Sequence, residues 1–326
     1  MMVTPQIEPY KTKLDATFAR YPYREAHTAA RPILVDLSKD IEALHSVFSA
    51  HLGAPEFMFH PYPYPDIGID VIVTPTYTVR LNNWFPRPGA PHTHQSVHHH
   101  GKLLLTSLAA FGPGYDSIVY KNVENVIEKN GTVYLEIDRV YNNTFGSIEF
   151  IDHFVPHVVF FPRLFSSTLV LWSYDEPPAL EAARRNPLLY KHRRFIKMVL
   201  VKFGLAKALG LNVVSNLDYY PEAGSYKPLV ARLEYPSPSL IQRPQNILHI
   251  LQQYGFASRT EIDKIANLCP ENIKNEFSIL LEKYTSGTPI DSYFESNYLE
   301  VPKVSISLEE FRTVHPGLKL PSYPEY

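Results

Sequence analysis

One cysteine, Cys269, stands in 326 residues, which excludes an internal disulfide and any thiolate metal cluster and fits a reducing compartment. A metal in this chain would need His, Asp or Glu as ligands. No segment reaches the roughly 18 uncharged apolar residues of a membrane span, and MMVTPQIEPYKTKLD at the amino terminus lacks an apolar stretch with a small-residue cleavage site. The expectation is a soluble, cytoplasmic protein. Charge of either sign is not in excess: 31 basic and 33 acidic residues leave −2, so no global field points to nucleic acid. Asn130-Gly131-Thr132 and Asn142-Asn143-Thr144 match the glycosylation acceptor pattern. Without a secretory leader they read as turns. No internal repeat is present.

Apolar residues make up 45% of the chain, enough for a sizeable core. Leu37, Ile41, Leu44 and Phe48 recur at three- and four-residue steps, which predicts one amphipathic helix from Ile33 to Leu52 behind an irregular arm. FMFHPYPYP, residues 57–65, alternates aromatics with prolines that cannot donate ladder hydrogen bonds, so an ordered loop is expected. From Ile67 to Trp172 short β-branched and aromatic runs follow closely, among them IGIDVIV, YTVRLNNW, KLLLTSL, HVVFF and STLVLW. Their spacing predicts a barrel or sandwich, and Asn130-Gly131 is suited to a tight hairpin within it. Beyond Pro177-Pro178 helices are expected at 179–209, 241–254, 259–268 and 270–284, with connections rich in Pro, Gly and Tyr at 219–238 and an extended tail. The reading divides the chain into an arm and helix (1–56), a barrel (57–178) and a helical extension packed on it (179–326).

Five of the 14 histidines fall in WFPRPGAPHTHQSVHHHG, residues 84–101. On an extended strand His92 and His94 face the same side, and neutral imidazoles suit iron, zinc, nickel or copper. A third ligand is required from another strand. IDHFVPHVVFF supplies His157, which begins a β-rich run, with His153 on the preceding turn as its competitor. The triplet His98 to His100 taken alone reads as a surface loop as readily as a site.

Gly89, His92 and His94, followed by Pro156 and His157, resemble the cupin superfamily, whose first motif sets a glycine before His-x-His and whose second places a His after a proline turn. The resemblance implies a mainly β fold with helical additions: a double-stranded β-helix, or jelly-roll, barrel joined to an N-terminal helix and a C-terminal helical extension. The acidic residue of many cupins is replaced here by His98, which implies a site of three or four histidines. Residues 77–178 are most similar to the thiol dioxygenases, of which cysteine dioxygenase is a member. His99 stands where eukaryotic members carry a crosslinked cysteine. Thr168, Val170 and Trp172 replace that family's Ser-x-His-x-Tyr run, so one barrel wall becomes more apolar. Arg80 is the candidate for binding a substrate carboxylate, with Arg87 and Arg163 as alternatives.

What the resemblance implies is a mononuclear iron(II) oxygenase taking dioxygen and a small, partly apolar substrate other than cysteine. His92, His94 and His157 would hold the metal. His98 or His99 would orient a ligand or move a proton, with Tyr174 or Tyr77 assisting, and Arg80, Thr168, Val170 and Trp172 would face the substrate. A zinc or nickel isomerase or hydrolase would use the same ligands, and a non-catalytic ligand-binding barrel is the reading from another class. The extension is expected to cap the barrel, form a homodimer interface or bind a partner. Within it, RRNPLLYKHRRFIKMVLVKFGLAKALG has the composition of a membrane or nucleic-acid contact. The expectation is instead that its apolar face packs on the chain's own barrel and its charges face water.

Overall fold

The computed structural model describes residues 3–59, 66–86, 97–121, 135–176, 178–203, 205, 216–220, 225–228, 239–256 and 259–292. Four helices come first: α1 (Glu8–Arg20), α2 (Tyr23–Lys39), α3 (Ile41–Leu52) and α4 (Pro55–Phe59). Nine strands follow: β1 (Ile67–Val73), β2 (Tyr77–Trp84), β3 (Val97–His98), β4 (Leu103–Phe111), β5 (Asp116–Tyr120), β6 (Ile137–Asn142), β7 (Ile148–Ile151), β8 (His157–Val159) and β9 (Ser166–Tyr174). Next are α5 (Pro178–Arg185), α6 (Pro187–Lys191) and α7 (Arg193–Lys202), then a hairpin of β10 (Asn216–Tyr220) and β11 (Ser225–Pro228). Helices α8 (Gln242–Tyr254), α9 (Arg259–Asn267) and α10 (Lys274–Ser286) end the described chain.

The strands form two antiparallel sheets, ordered β1-β2-β9-β4-β7 and β11-β10-β3-β8-β5-β6. From β2 to β9, each strand is followed by one in the opposite sheet, except β5 and β6, which pair directly. That order is the jelly roll of two interlocked Greek keys. The expected barrel with helical additions is therefore what forms.

Period-two alternation assigns the residues to two cores. Val79, Leu81, Leu169 and Leu171 face outward and share one cluster with Leu34, Phe48, Ile247, Leu251 and Phe277 of the helices. Leu105, Val119, Ile151 and Val170 face inward, with Trp172 and Tyr141 against them, and so join the two sheets across the barrel. Central β9 is buried on both faces along most of its length. This accounts for its unbroken apolar run. On the outer face His27 of α2, fully buried, sets Nδ1 2.8 Å from Thr106 Oγ1 on β4 and Nε2 2.8 Å from Ser173 Oγ on β9. The helix is thereby tied to two neighbouring strands.

The structure corrects several local expectations. The arm ahead of Ile33 is helical, and the single helix predicted to Leu52 is two. Asp40 leaves helical geometry and accepts a 2.9 Å hydrogen bond from Ala43 N, capping α3, while Tyr10 Oη donates to its other carboxylate oxygen at 2.7 Å. The break turns Ile41 out to solvent while Leu37, Leu44 and Phe48 stay buried. Phe57 to Phe59 complete a short helix rather than a loop. The connection expected from Tyr219 includes the β10–β11 hairpin, which pairs with β3 through Asn216 and Leu217. Asn130-Gly131 and the tail lie outside the described residues, although β5 and β6 do pair antiparallel. Among the described residues no helix is long and apolar enough to cross a membrane.

Candidate metal centre

Strand β3, two residues long, lies between β10 and β8, and its one pairing with β8 sets His98 opposite His157. His157 in turn lies opposite Val119 of β5. Val119 belongs to the inner cluster, so this row of the sheet presents its side chains to the barrel interior. His100, two residues beyond His98, returns to the same group. Its Nε2 is 3.1 Å from Nε2 of His157, and its ring stands edge-on to Trp172 at 4.5 Å between centroids. One nitrogen from each of His98, His100 and His157 lies within 4.8 Å of the other two.

The donor chemistry suits a cation. His157 Nδ1 is 3.1 Å from the Val155 carbonyl, a contact that requires Nδ1 to carry the proton and leaves the Nε2 lone pair facing His100. Burial pushes His157 down to about 4, reinforced by nearby His99 and Arg139. Burial likewise holds His100 well below the ordinary histidine range, with the neighbouring imidazoles adding to the effect. Both rings are neutral at pH 7, the form that ligates metal. Two nitrogens about 2.1 Å from one first-row ion, at tetrahedral or octahedral angles, stand about 3.0–3.4 Å apart, and the His100–His157 separation falls in that interval. These residues therefore fit a metal. Among the described residues no carboxylate belongs to the group.

His157, expected from the sequence as a ligand, is one of the three histidines brought together. His92 and His94 lie outside the described residues. His98, anticipated as an assisting residue, stands inside the group, and His100 was missed. The signal for it was present: HTHQSVHHH contains His-x-His twice, at 92/94 and 98/100. The surface-loop reading of the triplet is corrected, since His98 and His99 are buried. His99 serves a different contact. Its Nδ1 accepts a 3.0 Å hydrogen bond from Gly101 N, and its ring packs on Phe154 at 5.6 Å.

Arg80, Thr168, Val170 and Trp172 share the inner barrel face, because Arg80 pairs with Val170, Asn82 with Thr168 and Thr78 with Trp172. Of these four, Trp172 alone is in ring contact with the histidine group. Trp84 Nε1 donates to Thr168 Oγ1 at 3.0 Å, toward the other end of the barrel, and Arg80 lies over Gly68 with Nε 3.6 Å from Asp70. Tyr174 lies past this wall, under the Arg184 guanidinium at 3.5 Å, where it lines a cleft of about 370 Å³ with Tyr23 and Glu176. The structure does not bring Tyr174 or His99 into the histidine group. His153 belongs to a separate cluster with Asp152 and Asp175. Arg24 already supplies the positive charge there, 2.8 Å from Asp152 and 3.2 Å from Asp175.

No family model matches the chain, and no curated protein matches it. Solved structures do. A cupin domain of Schizosaccharomyces pombe Cnp3 aligns at 8% identity over 37% of this chain and 66% of its own, with a TM-score of 0.25. KdgF from Halomonas sp. aligns at 14% identity over 36% of this chain and 84% of its own, with a TM-score of 0.24. The DMSP lyase DddQ from Ruegeria pomeroyi DSS-3 aligns at 12% identity over 34% of this chain, with a TM-score of 0.24. The alignment spans about half that lyase, 48% of its length. The strand order established above carries the fold assignment. The barrel is a double-stranded β-helix, or jelly roll.

Proposed function

We propose that this chain is a mononuclear metal-dependent cupin enzyme, most consistent with an iron(II) oxygenase, acting on a small, partly apolar substrate. The observation that carries the reading is the convergence of His98, His100 and His157, with His100 and His157 held neutral by burial, beside an apolar interior wall. Three neutral ligands leave a bound ion its full positive charge, which favours an anionic substrate group and activation of dioxygen. His92 and His94 remain candidate ligands on the sequence pattern, with His157 common to both sets.

The protein's own residues would divide the work. Val155 holds the His157 ring in one tautomer through its carbonyl. Trp172, packed edge-on against His100, would fix that ring's rotation and, with Val170 and Leu105, give the substrate a dry, apolar seat. Arg80 would receive a substrate anion only after exchanging its contact with Asp70.

The test is oxygen consumption by the iron(II)-loaded full chain, measured against a panel of small organic acids, amines and thiols bearing apolar groups. Uptake that requires iron and is abolished in His157→Ala supports the proposal. Turnover without oxygen by the zinc-loaded protein would replace the oxygenase with an isomerase or hydrolase. Less than about half an equivalent of any transition metal after reconstitution would leave a non-catalytic barrel.

A further inference from the structure

The segment carrying α5, α6 and α7 does not do what an amphipathic helix of a globular protein ordinarily does. From Leu180 to Phe203 no residue whose side chain is described is buried. Of the eleven large apolar residues exposed among the described residues, six lie between Leu188 and Leu205. Leu188 and Phe203 are each 71% exposed, Phe195 62% and Met198 58%. The expectation that the apolar side of this segment packs on the chain's own barrel is therefore corrected. Phe195, Met198 and Lys202, at steps of three and four residues, form one exposed stripe of α7.

Charge is as one-sided as the apolar exposure. Between Glu181 and Asp218 there is no acidic residue, while there are eight lysines and arginines, in a chain whose formal net charge is −2. Arg193 is exposed and lies over the Tyr190 ring at 4.2 Å.

We propose that α6 and α7 lie flat on an anionic lipid surface, with Leu188, Phe195, Met198 and Phe203 entering the boundary of the acyl chains and the surrounding arginines and lysines meeting the headgroup phosphates. Long basic side chains extend along such a surface and place their charge at headgroup level while their stems stay apolar. Each basic residue near an anionic leaflet adds to the attraction, and the apolar residues add burial that charge alone does not provide. A phosphate backbone would satisfy the cations but leave leucine, phenylalanine and methionine in water. A second copy meeting this face would set Lys191, Arg193 and Lys202, all exposed, against their own counterparts.

The experiment is sedimentation of the full chain with vesicles of phosphatidylcholine alone, and of phosphatidylcholine with roughly one third phosphatidylserine. Binding is expected to the anionic vesicles only and to weaken as salt is raised. Arg193→Glu with Lys202→Glu, and separately Phe195→Ser with Met198→Ser, are each expected to weaken it by about tenfold or more, with melting temperatures unchanged because these positions are exposed. Equal retention on neutral vesicles, or none on anionic ones, overturns the proposal. So does binding of a single-stranded oligonucleotide that is tighter than binding to anionic vesicles and unchanged in the Phe195→Ser, Met198→Ser variant. A dimer seen by ultracentrifugation and lost in the Phe195→Ser, Met198→Ser variant also overturns it, in favour of self-association.

Discussion

His100 and His157, fifty-seven residues apart in sequence, hold their Nε2 atoms 3.1 Å apart in the barrel interior. Two neutral imidazoles satisfy that approach without a metal only if His100 donates its Nε2 proton to His157, whose own proton sits on Nδ1. Moving the His100 proton to Nδ1 points both lone pairs at one place, which is what an ion requires.

Metal content should separate the two histidine sets that share His157. His157→Ala is expected to lose stoichiometric metal under either. If His98 and His100 complete the site, His100→Ala loses it and His92→Ala retains it; the reverse pattern would assign His92 and His94 instead. Metal per chain after loading and desalting, by plasma mass spectrometry, decides. His99→Ala is expected to retain metal, since its ring packs on Phe154.

Trp172 offers a reporter, because it touches His100 and the chain has only one other tryptophan, Trp84. Addition of a paramagnetic first-row ion is expected to quench tryptophan fluorescence strongly in the wild type. The Trp172→Phe variant should show little quenching. Equal quenching in both proteins would place the ion elsewhere.

Stability should fall on mild acidification. Burial, helped by the charge of Arg31, pushes His27 from 6.5 down to about 4. The unfolded chain therefore takes up a proton below about 6.5 that the folded chain refuses until about 4. The contribution is complete above 6.5 and is lost progressively as pH falls through that window, by up to about 3 kcal/mol. Urea titrations at several pH values are expected to show the loss, with a flatter profile in His27→Gln. Identical pH slopes would refute this account.

Gly114 has φ of +85°, and a Cβ there would stand 1.7 Å from the Asn143 carbonyl oxygen. The obstacle is backbone, so no rotamer change relieves it. Gly114→Ala is expected to destabilise the fold by ~3 kcal/mol or more, lowering the urea midpoint. Gly146→Ala is the control. Its φ is also positive, yet nothing lies near its added Cβ, so it should show the smaller cost of a left-handed alanine, about 1 kcal/mol.

Local patterning alone determined most of the barrel strands, the later helices and the restriction of any metal to His, Asp or Glu ligands, because alternation, helical period and the single cysteine are properties of neighbouring residues or of composition. The sequence did not disclose that Tyr10, thirty residues away, reaches the carboxylate of Asp40, which caps α3 through its local contact with Ala43. Nor did it disclose which histidines converge. His-x-His occurs twice within nine residues, and either copy puts two rings on one side of a strand. The pairing of His98 with His157 across β3 and β8 brings the second copy to the histidine of the other segment. The basic segment follows the same logic: its amphipathic composition was legible, but whether its apolar residues meet the barrel or the surroundings is a matter of packing between distant parts of the chain, which only the tertiary structure decides.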